Sequence, residues 1–186
     1  MKHLIEYDAE KHEYKIDGKV KPGVNAIIDG AGLRPPYRGA AKYGRRGKAV
    51  HLICQFYDED RLDSFNPEYE GYLESYKKFL ELYKPFYFAI EQMQYSEKYD
   101  YCGTPDRVGF IEKQKAIIDL KSGVATPHDG VALYGYQLLQ DKAEKYLLYD
   151  LFLQKDRSIP KLVLQNKPID RNVFMAALTI NIWKGE

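Results

Sequence analysis

The fold is decided by residues 101–121, which read Tyr-Cys-Gly-Thr-Pro-Asp-Arg-Val-Gly-Phe-Ile-Glu-Lys-Gln-Lys-Ala-Ile-Ile-Asp-Leu-Lys. Two apolar runs rich in β-branched residues, 106–111 and 116–121, flank a short polar segment at 112–115. This pattern is typical of two antiparallel strands joined by a loop. We therefore predict a β-hairpin at this point of the chain.

The register of that hairpin determines which side chains meet. A loop centred between Lys113 and Gln114 would place Asp106 opposite Lys121 and Val108 opposite Asp119. Because side chains alternate between the two faces of a strand, Asp106, Asp119 and Lys121 would share one face, and a slip of one residue would separate them. The other face would carry four apolar residues: Ile111, Ala116, Ile118 and Leu120.

Composition describes a globular chain. Its 186 residues, 45% hydrophobic and 30% charged, suit one domain over residues 1–186, and a net charge of +1 gives no overall attraction to nucleic acid. The two cysteines, Cys54 and Cys102, form neither a disulfide framework nor a CxxC site. Without a signal peptide or an apolar run of membrane-spanning length, we expect a cytoplasmic protein.

The remaining elements follow from periodicity and turn signals. We predict a small N-terminal hairpin within residues 4–16 with a turn at Asp17-Gly18, a short helix at 24–28 and a helix at 40–57. We also predict a helix with Asn66 as its N-cap and Pro67 in its first turn, and a strand at 86–95. After the central hairpin we predict a helix from Asp129 to Tyr146, whose buried face includes Ala143. Strands at 149–153 and 161–165 and a final amphipathic helix from Pro168 follow.

Residues 34–48 form a basic segment without a single acidic residue. Two interpretations remain open, a solvated helix face or a surface that contacts phosphates. The six cations of this segment are Arg34, Arg38, Lys42, Arg45, Arg46 and Lys48.

Two further residues stand out by their surroundings. His51 shares a helix face with Gly47, Val50 and Cys54, where a histidine is more often a core residue than a ligand. Glu91 lies in an otherwise apolar strand, and a buried carboxylate there is costly unless it is paired or bound to a metal ion.

The residues of the hairpin suit metal-dependent phosphodiester hydrolysis. Asp106 and Asp119 can bind a hard cation such as Mg²⁺, and the backbone carbonyl of Leu120 can add an oxygen ligand. Lys121 could orient the attacking water, help to deprotonate it and contact the phosphate. An ordinary surface ion pair across two strands would give the same residues.

The motifs also resemble a known family. Residues 103–107 (Gly-Thr-Pro-Asp-Arg) and 117–123 (Ile-Ile-Asp-Leu-Lys-Ser-Gly) resemble the two central motifs of the PD-(D/E)XK nuclease superfamily, above all its RecB-like branch with phage and prophage exonucleases. Residues 47–51 are similar to the helical motif of that branch, whose histidine helps to bind metal. Residues 14–20 resemble the N-terminal hairpin of its phage-type members.

This resemblance implies a central mixed β-sheet flanked by α-helices, a restriction-endonuclease-like core. It implies catalytic roles for Asp106, Asp119, Lys121, Glu91 and Gln137, with Mg²⁺ as the cofactor and Mn²⁺ able to substitute. The implied metal ligands are His51, Asp106, Asp119 and the carbonyl of Leu120.

The chain departs from the RecB-like pattern in two respects. Many members carry a tyrosine four residues after the glutamine, where this chain has Asp141, and Tyr134 would take that place on the DNA path. Members with an iron–sulfur cluster need four cysteines, so that subtype is excluded.

The resulting expectation is a Mg²⁺-dependent exodeoxyribonuclease of phage or prophage type, acting on DNA with a free end in recombination or repair. A phage recombination partner protein and a homo-oligomer are compatible with it. The alternatives are a site-specific endonuclease, an RNA-directed nuclease, and a non-catalytic nucleic-acid-binding protein. A metal site at His128 and Asp129 is the weakest alternative, because Asp129 is explained as a helix cap.

Overall fold

A computed structural model describes residues 3–8, 11, 13–34, 40–140 and 145–185, without the side chains of residues 40–43. The strands are β1 Ile5–Asp8, β2 Glu13–Ile16, β3 Lys19–Lys21, β4 Phe86–Ile90, β5 Gln94–Ser96, β6 Tyr101–Gly103, β7 Arg107–Ile111, β8 Gln114–Lys121, β9 Leu147–Phe152 and β10 Lys161–Leu164. The helices are α1 Val24–Gly30, α2 Ala40–Asp58, α3 Glu70–Tyr83, α4 Asp129–Gln137 and α5 Pro168–Gly185.

The centre of the fold is a five-stranded mixed sheet in the order β10-β9-β8-β7-β4. Strands β8 and β9 are parallel and are connected through helix α4, while the other neighbouring pairs are antiparallel. Helices cover both faces of this sheet, which confirms the predicted α/β architecture.

The central hairpin has a tighter turn than predicted. Only Glu112 and Lys113 separate β7 from β8, and both have positive φ, 49° and 70°, as a two-residue type I′ turn requires. The predicted loop at 112–115 is therefore wrong, because Gln114 and Lys115 already belong to β8.

The predicted cross-strand pairs are wrong for the same reason. Val108 pairs with Ile117 rather than with Asp119, and the same register brings Asp106 level with Asp119 rather than with Lys121. The shift is two residues, an even number, so each side chain keeps its face. The prediction that Asp106, Asp119 and Lys121 share a face is confirmed, since all three line one cleft.

Each face of the sheet has its own core. Val108 and Ile117 pack with α1, α4 and α5, in a cluster that includes Ile27, Leu133 and Phe174. The opposite face packs on α2 and α3 through Val50, Cys54, Tyr76 and Phe79, and contains the four apolar residues predicted to point that way: Ile111, Ala116, Ile118 and Leu120.

Two predicted elements are shorter in the structure. The strand predicted at 86–95 ends at Ile90, because Glu91 has a φ of 44° and the chain then leaves the sheet to form β5. The helix predicted to continue to Tyr146 ends at Gln137, and the predicted face residue Ala143 lies outside the described residues.

The N-terminal hairpin is part of a larger unit. Strand β3 extends it to a three-stranded antiparallel sheet, with the predicted turn at Asp17 and Gly18 between β2 and β3. The predicted N-cap at Asn66 is confirmed for the 3₁₀ turn Pro67–Tyr69 that leads into α3, since the Asn66 side chain accepts a hydrogen bond from the Glu68 amide at 3.0 Å. Within the described ranges, every helix is too short or too polar to cross a membrane.

Candidate active-site cleft

A cleft of about 980 Å³ lies at the end of the central hairpin. Helix α2 supplies His51, the bend after β4 supplies Glu91, and the segment entering β7 supplies Asp106. Strand β8 supplies Asp119 and Lys121. The structure thus brings these five predicted site residues into one open cavity, together with Leu120.

His51, Glu91 and Asp106 form a group of potential metal ligands. The Nδ1 atom of His51 lies 3.3 Å from Asp106 Oδ1 and 3.9 Å from Glu91 Oε1, and one donor atom of each residue lies within 4.8 Å of the others. The Nε2 atom of His51 lies 2.8 Å from the carbonyl oxygen of Leu120. A carbonyl only accepts hydrogen bonds, so Nε2 carries a proton and Nδ1 faces the carboxylates.

The charges of this group depend strongly on one another. Burial favours the neutral form of Asp106, but the His51 charge and hydrogen bonds from His51 and the Leu120 amide hold the pKa of Asp106 well below its usual range. Burial alone lowers the pKa of His51, but Asp106, with smaller contributions from Glu91 and Asp119, outweighs burial and raises the pKa to about 9. Burial and the charge of Asp106 raise the pKa of Glu91 to about 8.

Lys121 lies at the centre of a second group of carboxylates. Its ammonium contacts Asp119 and lies 3.3 Å from Asp129 Oδ1 and 3.9 Å from Asp150 Oδ1. The parallel register places Asp150 of β9 directly opposite Asp119. Three acids from β8, α4 and β9 therefore surround one cation.

One ammonium cannot compensate three buried acids. Burial alone lowers the pKa of Lys121, but the three carboxylates raise it above its ordinary value. Burial raises the pKa of Asp119 to about 7, with Asp106 and Asp150 adding to the effect and Lys121 opposing it. Burial also raises the pKa of Asp150 to about 6. The site thus holds an excess of negative charge that a bound cation would relieve.

Sequence reasoning missed the roles of Asp129 and Asp150. Asp129 accepts hydrogen bonds from the amide and hydroxyl of Thr126, both at 2.7 Å. Since these donors precede α4 and Asp129 is its first residue, the prediction that Asp129 caps the helix is wrong. Asp150 did carry a signal, because it is the single acid in the apolar strand Leu147–Phe152, the feature that drew attention to Glu91.

Asp150 itself is fully buried. Gln165 donates a hydrogen bond to its Oδ2 atom at 2.6 Å. Its Oδ1 atom makes no hydrogen bond to any residue in the described ranges and lies on the side of Lys121. Asp150 therefore contributes charge to the Lys121 group without a full set of hydrogen-bond partners.

Arg107 supports the site from the opposite face of the sheet. Its fully buried guanidinium donates to Asp58 at 2.6 Å and to the backbone carbonyl of Asp106 at 2.7 Å, and it lies 3.5 Å from Glu91. Asp58 also accepts a hydrogen bond from Tyr76 at 2.7 Å. These contacts hold the backbone of Asp106 in place and so fix the position of its carboxylate in the cleft.

The remaining predicted residues divide between the cleft and other places. Arg34, Arg46 and Lys48 line the cleft, while Arg45 is exposed and does not line it. Arg38 and the side chain of Lys42 lie outside the described residues.

Helix α4 carries two residues predicted to lie near DNA, and neither lines the cleft. Gln137 is buried and donates a hydrogen bond to the carbonyl of Tyr146 at 3.3 Å. Tyr134 packs against the core formed with α1 and α5. The catalytic role of Gln137 and the DNA contact of Tyr134 stay predictions.

The donor set of the cleft fits a small divalent cation. Carboxylate oxygens and one imidazole nitrogen are ligands that Mg²⁺ and Mn²⁺ accept. The Nδ1 atom of His51 becomes a ligand when it loses its proton, and its Nε2–H bond to Leu120 then fixes the orientation of the ring.

No known protein family's model matches the chain, and no curated protein matches its sequence.

Proposed function

We propose that this protein is a metal-dependent nuclease that hydrolyses phosphodiester bonds in DNA. The observation that carries the proposal is the meeting of His51, Glu91 and Asp106 with Asp119 and Lys121 in one open cleft. The five-stranded mixed sheet flanked by helices supports it, since such a core is what the resemblance to PD-(D/E)XK nucleases implies.

Asp106 and Asp119 would hold the cation, together with Glu91 and the Nδ1 atom of His51. The Leu120 carbonyl, predicted as a further ligand, accepts the Nε2–H of His51 on the far side of the ring, so it would orient the imidazole rather than bind the same ion. Bound Mg²⁺ or Mn²⁺ would supply charge stabilisation at the phosphate and a more acidic water. Asp106 is suited to this task because its pKa is low, so it remains an anion throughout the physiological pH range.

Lys121 acts as a hydrogen-bond donor in this proposal. Its raised pKa keeps the ammonium charged, so it would bind a phosphate oxygen or orient the water rather than remove a proton. Asp129 and Asp150 hold the ammonium from two sides, and they would keep it in place while Asp119 binds the cation.

The rim of the cleft offers contacts for the DNA backbone. Arg46 and Lys48 line it, and neutralising phosphates with such side chains gives binding that weakens with salt. Arg34 also lines the cleft, but Asp29 balances part of its charge. An exonuclease of phage or prophage type, acting on DNA ends in the cytoplasm during recombination or repair, is the form of the activity we propose.

A digestion assay tests this function. Purified protein is incubated with end-labelled linear duplex DNA, closed circular DNA, single-stranded DNA and RNA, in Mg²⁺, in Mn²⁺ and in EDTA. We expect degradation of linear DNA that needs the metal, and no attack on closed circles. Cleavage of the circle would identify an endonuclease, and cleavage confined to RNA would identify an RNA-directed enzyme.

A non-catalytic nucleic-acid-binding protein is the second candidate, favoured by the direct contact between Lys121 and Asp119. Such a protein would bind DNA equally well with and without metal and would cleave none of the substrates. Binding without cleavage in both Mg²⁺ and Mn²⁺ would therefore contradict the nuclease proposal.

A further inference from the structure

A second cavity, of about 590 Å³, opens beside the cleft. It lies where the N-terminal sheet meets α1, and it shares five lining residues with the cleft: Tyr7, Tyr14, Asn25, Arg34 and Tyr136. The two spaces are therefore neighbours that share these side chains. Its volume is within the range of about 300–1,000 Å³ that small-molecule sites occupy.

Two tyrosines form an aromatic wall of this side cavity. Tyr7 and Tyr14 are directly paired across β1 and β2, and their ring centroids lie 4.8 Å apart at an angle of 45°. The Tyr14 hydroxyl lies 2.8 Å from Thr104 Oγ1, two residues before Asp106. A Cβ atom at Gly23 would lie 2.7 Å from Tyr14 Cε2, so the ring rests directly on the Gly23 backbone.

These contacts fix the Tyr14 ring relative to the candidate metal ligands. Tyr7 is the outer ring of the pair and is 41% exposed. A flat group entering the side cavity from the cleft could stack on this wall.

The other wall carries polar groups of mixed charge. Arg34 donates to Asn25 Oδ1 at 2.8 Å and to Asp29 Oδ2 at 3.4 Å, which holds the guanidinium in place. The Nε atom of Arg34 is buried and makes no hydrogen bond to a described residue. Because Asp29 balances part of the Arg34 charge, this wall is better suited to a neutral group with donors and acceptors than to a phosphate.

We propose that the side cavity binds a nucleobase of the strand whose phosphate lies at Asp106 and Asp119. This inference rests on the proposed function and adds its substrate class. A base can enter the side cavity only when it is unpaired and unstacked, so the substrate is single-stranded DNA or a frayed duplex end. Stacking on Tyr7 and hydrogen bonds with Arg34 and Asn25 would hold the base beside the site of cleavage.

The test measures binding separately from cleavage. Fluorescence anisotropy follows a labelled oligothymidylate binding to the full chain in Ca²⁺, with either all bases present or one abasic residue at each position in turn. The variants are Tyr7→Ala, Tyr7→Phe, which keeps the ring, and Tyr57→Ala. Tyr57 is the matched control, because it is 37% exposed and lines neither cavity.

We expect Tyr7→Ala to weaken binding of the intact strand by between about fivefold and a hundredfold, the range for loss of one base stack. Tyr7→Phe and Tyr57→Ala should bind like the wild type. An abasic residue at one position should weaken wild-type binding similarly and should not weaken Tyr7→Ala further, since both changes remove the same contact.

Three results would overturn the base cavity: no effect of Tyr7→Ala, additive losses at every position, or a wild type that does not bind the strand. The cleavage assay is scored independently. Position-specific non-additivity without any cleavage would retain the base cavity and refute the nuclease. Cleavage of DNA together with additive losses of binding would support the nuclease and refute the base cavity. Circular dichroism melting of Tyr7→Ala confirms that the variant is folded.

Discussion

Lys121 and Arg107 are carried by the same hairpin on opposite faces of the sheet, and their surroundings differ sharply. Lys121 opens to the cleft with 23% of its side chain exposed, and three carboxylates surround it. Arg107 is completely buried, and its guanidinium is held mainly by Asp58 and a backbone carbonyl.

The difference separates a group that holds the fold from a group that is available for chemistry. Arg107 has fixed partners in Asp58 and the Asp106 carbonyl, so its charge is compensated where it lies, and Glu91 is the cleft residue nearest to it, at 3.5 Å. Lys121 has more acidic neighbours than it can neutralise, and burial, with the charges of Asp106 and Asp150, raises the pKa of Asp119 to about 7. An excess of buried charge costs stability, and functional sites characteristically carry such a cost.

The largest expected effect is on cleavage and concerns the Lys121 side. Asp119→Asn and Lys121→Met should each lower the cleavage rate about a thousandfold or more, since each removes a group that stabilises charge at the phosphate. Initial rates on end-labelled linear DNA measure this. Asp63→Asn, at an exposed position, is the control. If both site variants lose less than tenfold in cleavage rate, Lys121 and its carboxylates are not needed for cleavage and do not differ in function from Arg107.

The next effect is on stability and concerns the Arg107 side. Arg107→Met leaves the Asp58 carboxylate buried without its cation, which should lower the free energy of unfolding by about 3–5 kcal/mol. Urea denaturation followed by circular dichroism measures it. The control is Arg61→Met, an exposed arginine paired with Glu59, which should cost less than about 1 kcal/mol. Equal losses in the two variants would contradict a structural role for Arg107.

A smaller effect should appear in the pH dependence of stability of the metal-free protein. Burial raises the pKa of Asp150 from 3.8 to about 6, so the folded state binds this proton more tightly than the unfolded state. The contribution of Asp150 to stability therefore decreases as the pH rises from about 4 through about 6, and it stays low above that.

Asp150→Asn should remove this dependence while Gln165 still has an oxygen to bind. Relative to the wild type, the variant should gain up to about 3 kcal/mol between pH 4 and pH 8. Thermal melts in EDTA across that range test it, with Asp63→Asn as the control. If the difference in stability between Asp150→Asn and wild type is constant with pH, the pKa of the Asp150 carboxyl is not raised in the folded protein.

The smallest effect concerns the rim of the cleft. Lys48→Gln should weaken DNA binding only about two- to threefold at moderate salt and reduce the slope of log affinity against log salt by about one. Lys161→Gln, on the exposed strand β10, should leave the slope unchanged. If the two variants have the same slope of log affinity against log salt, Lys48 does not contact the DNA phosphates.

The faces of the hairpin could be predicted from sequence more securely than its register. Alternation assigns Asp106, Asp119 and Lys121 to one face under any even shift, so an error of two residues left the site intact. The turn length could not be read because Glu112 and Lys113 adopt positive φ without the glycine or asparagine that usually marks such a turn.

The missed residues depend on long-range geometry. Asp150 meets Lys121 only through the parallel pairing of β8 and β9, which is established across the intervening helix α4. The bend at Glu91 could not be predicted from sequence either. Its positive φ is accompanied by a tertiary contact, a hydrogen bond of 3.0 Å that the Glu91 backbone amide donates to the Asp106 carbonyl. The local sequence pattern predicts neither the contact of Asp150 with Lys121 nor the bend at Glu91.

The central claim is that the excess negative charge of the cleft binds a divalent cation, and Mn²⁺ titration tests it most directly. The electron paramagnetic resonance signal of free Mn²⁺ is followed as wild type, Asp106→Asn and Asp63→Asn are added at neutral pH. We predict that wild type and Asp63→Asn remove at least one Mn²⁺ per chain from solution and that Asp106→Asn does not. Equal binding by all three proteins, or binding by none, would contradict the metal centre.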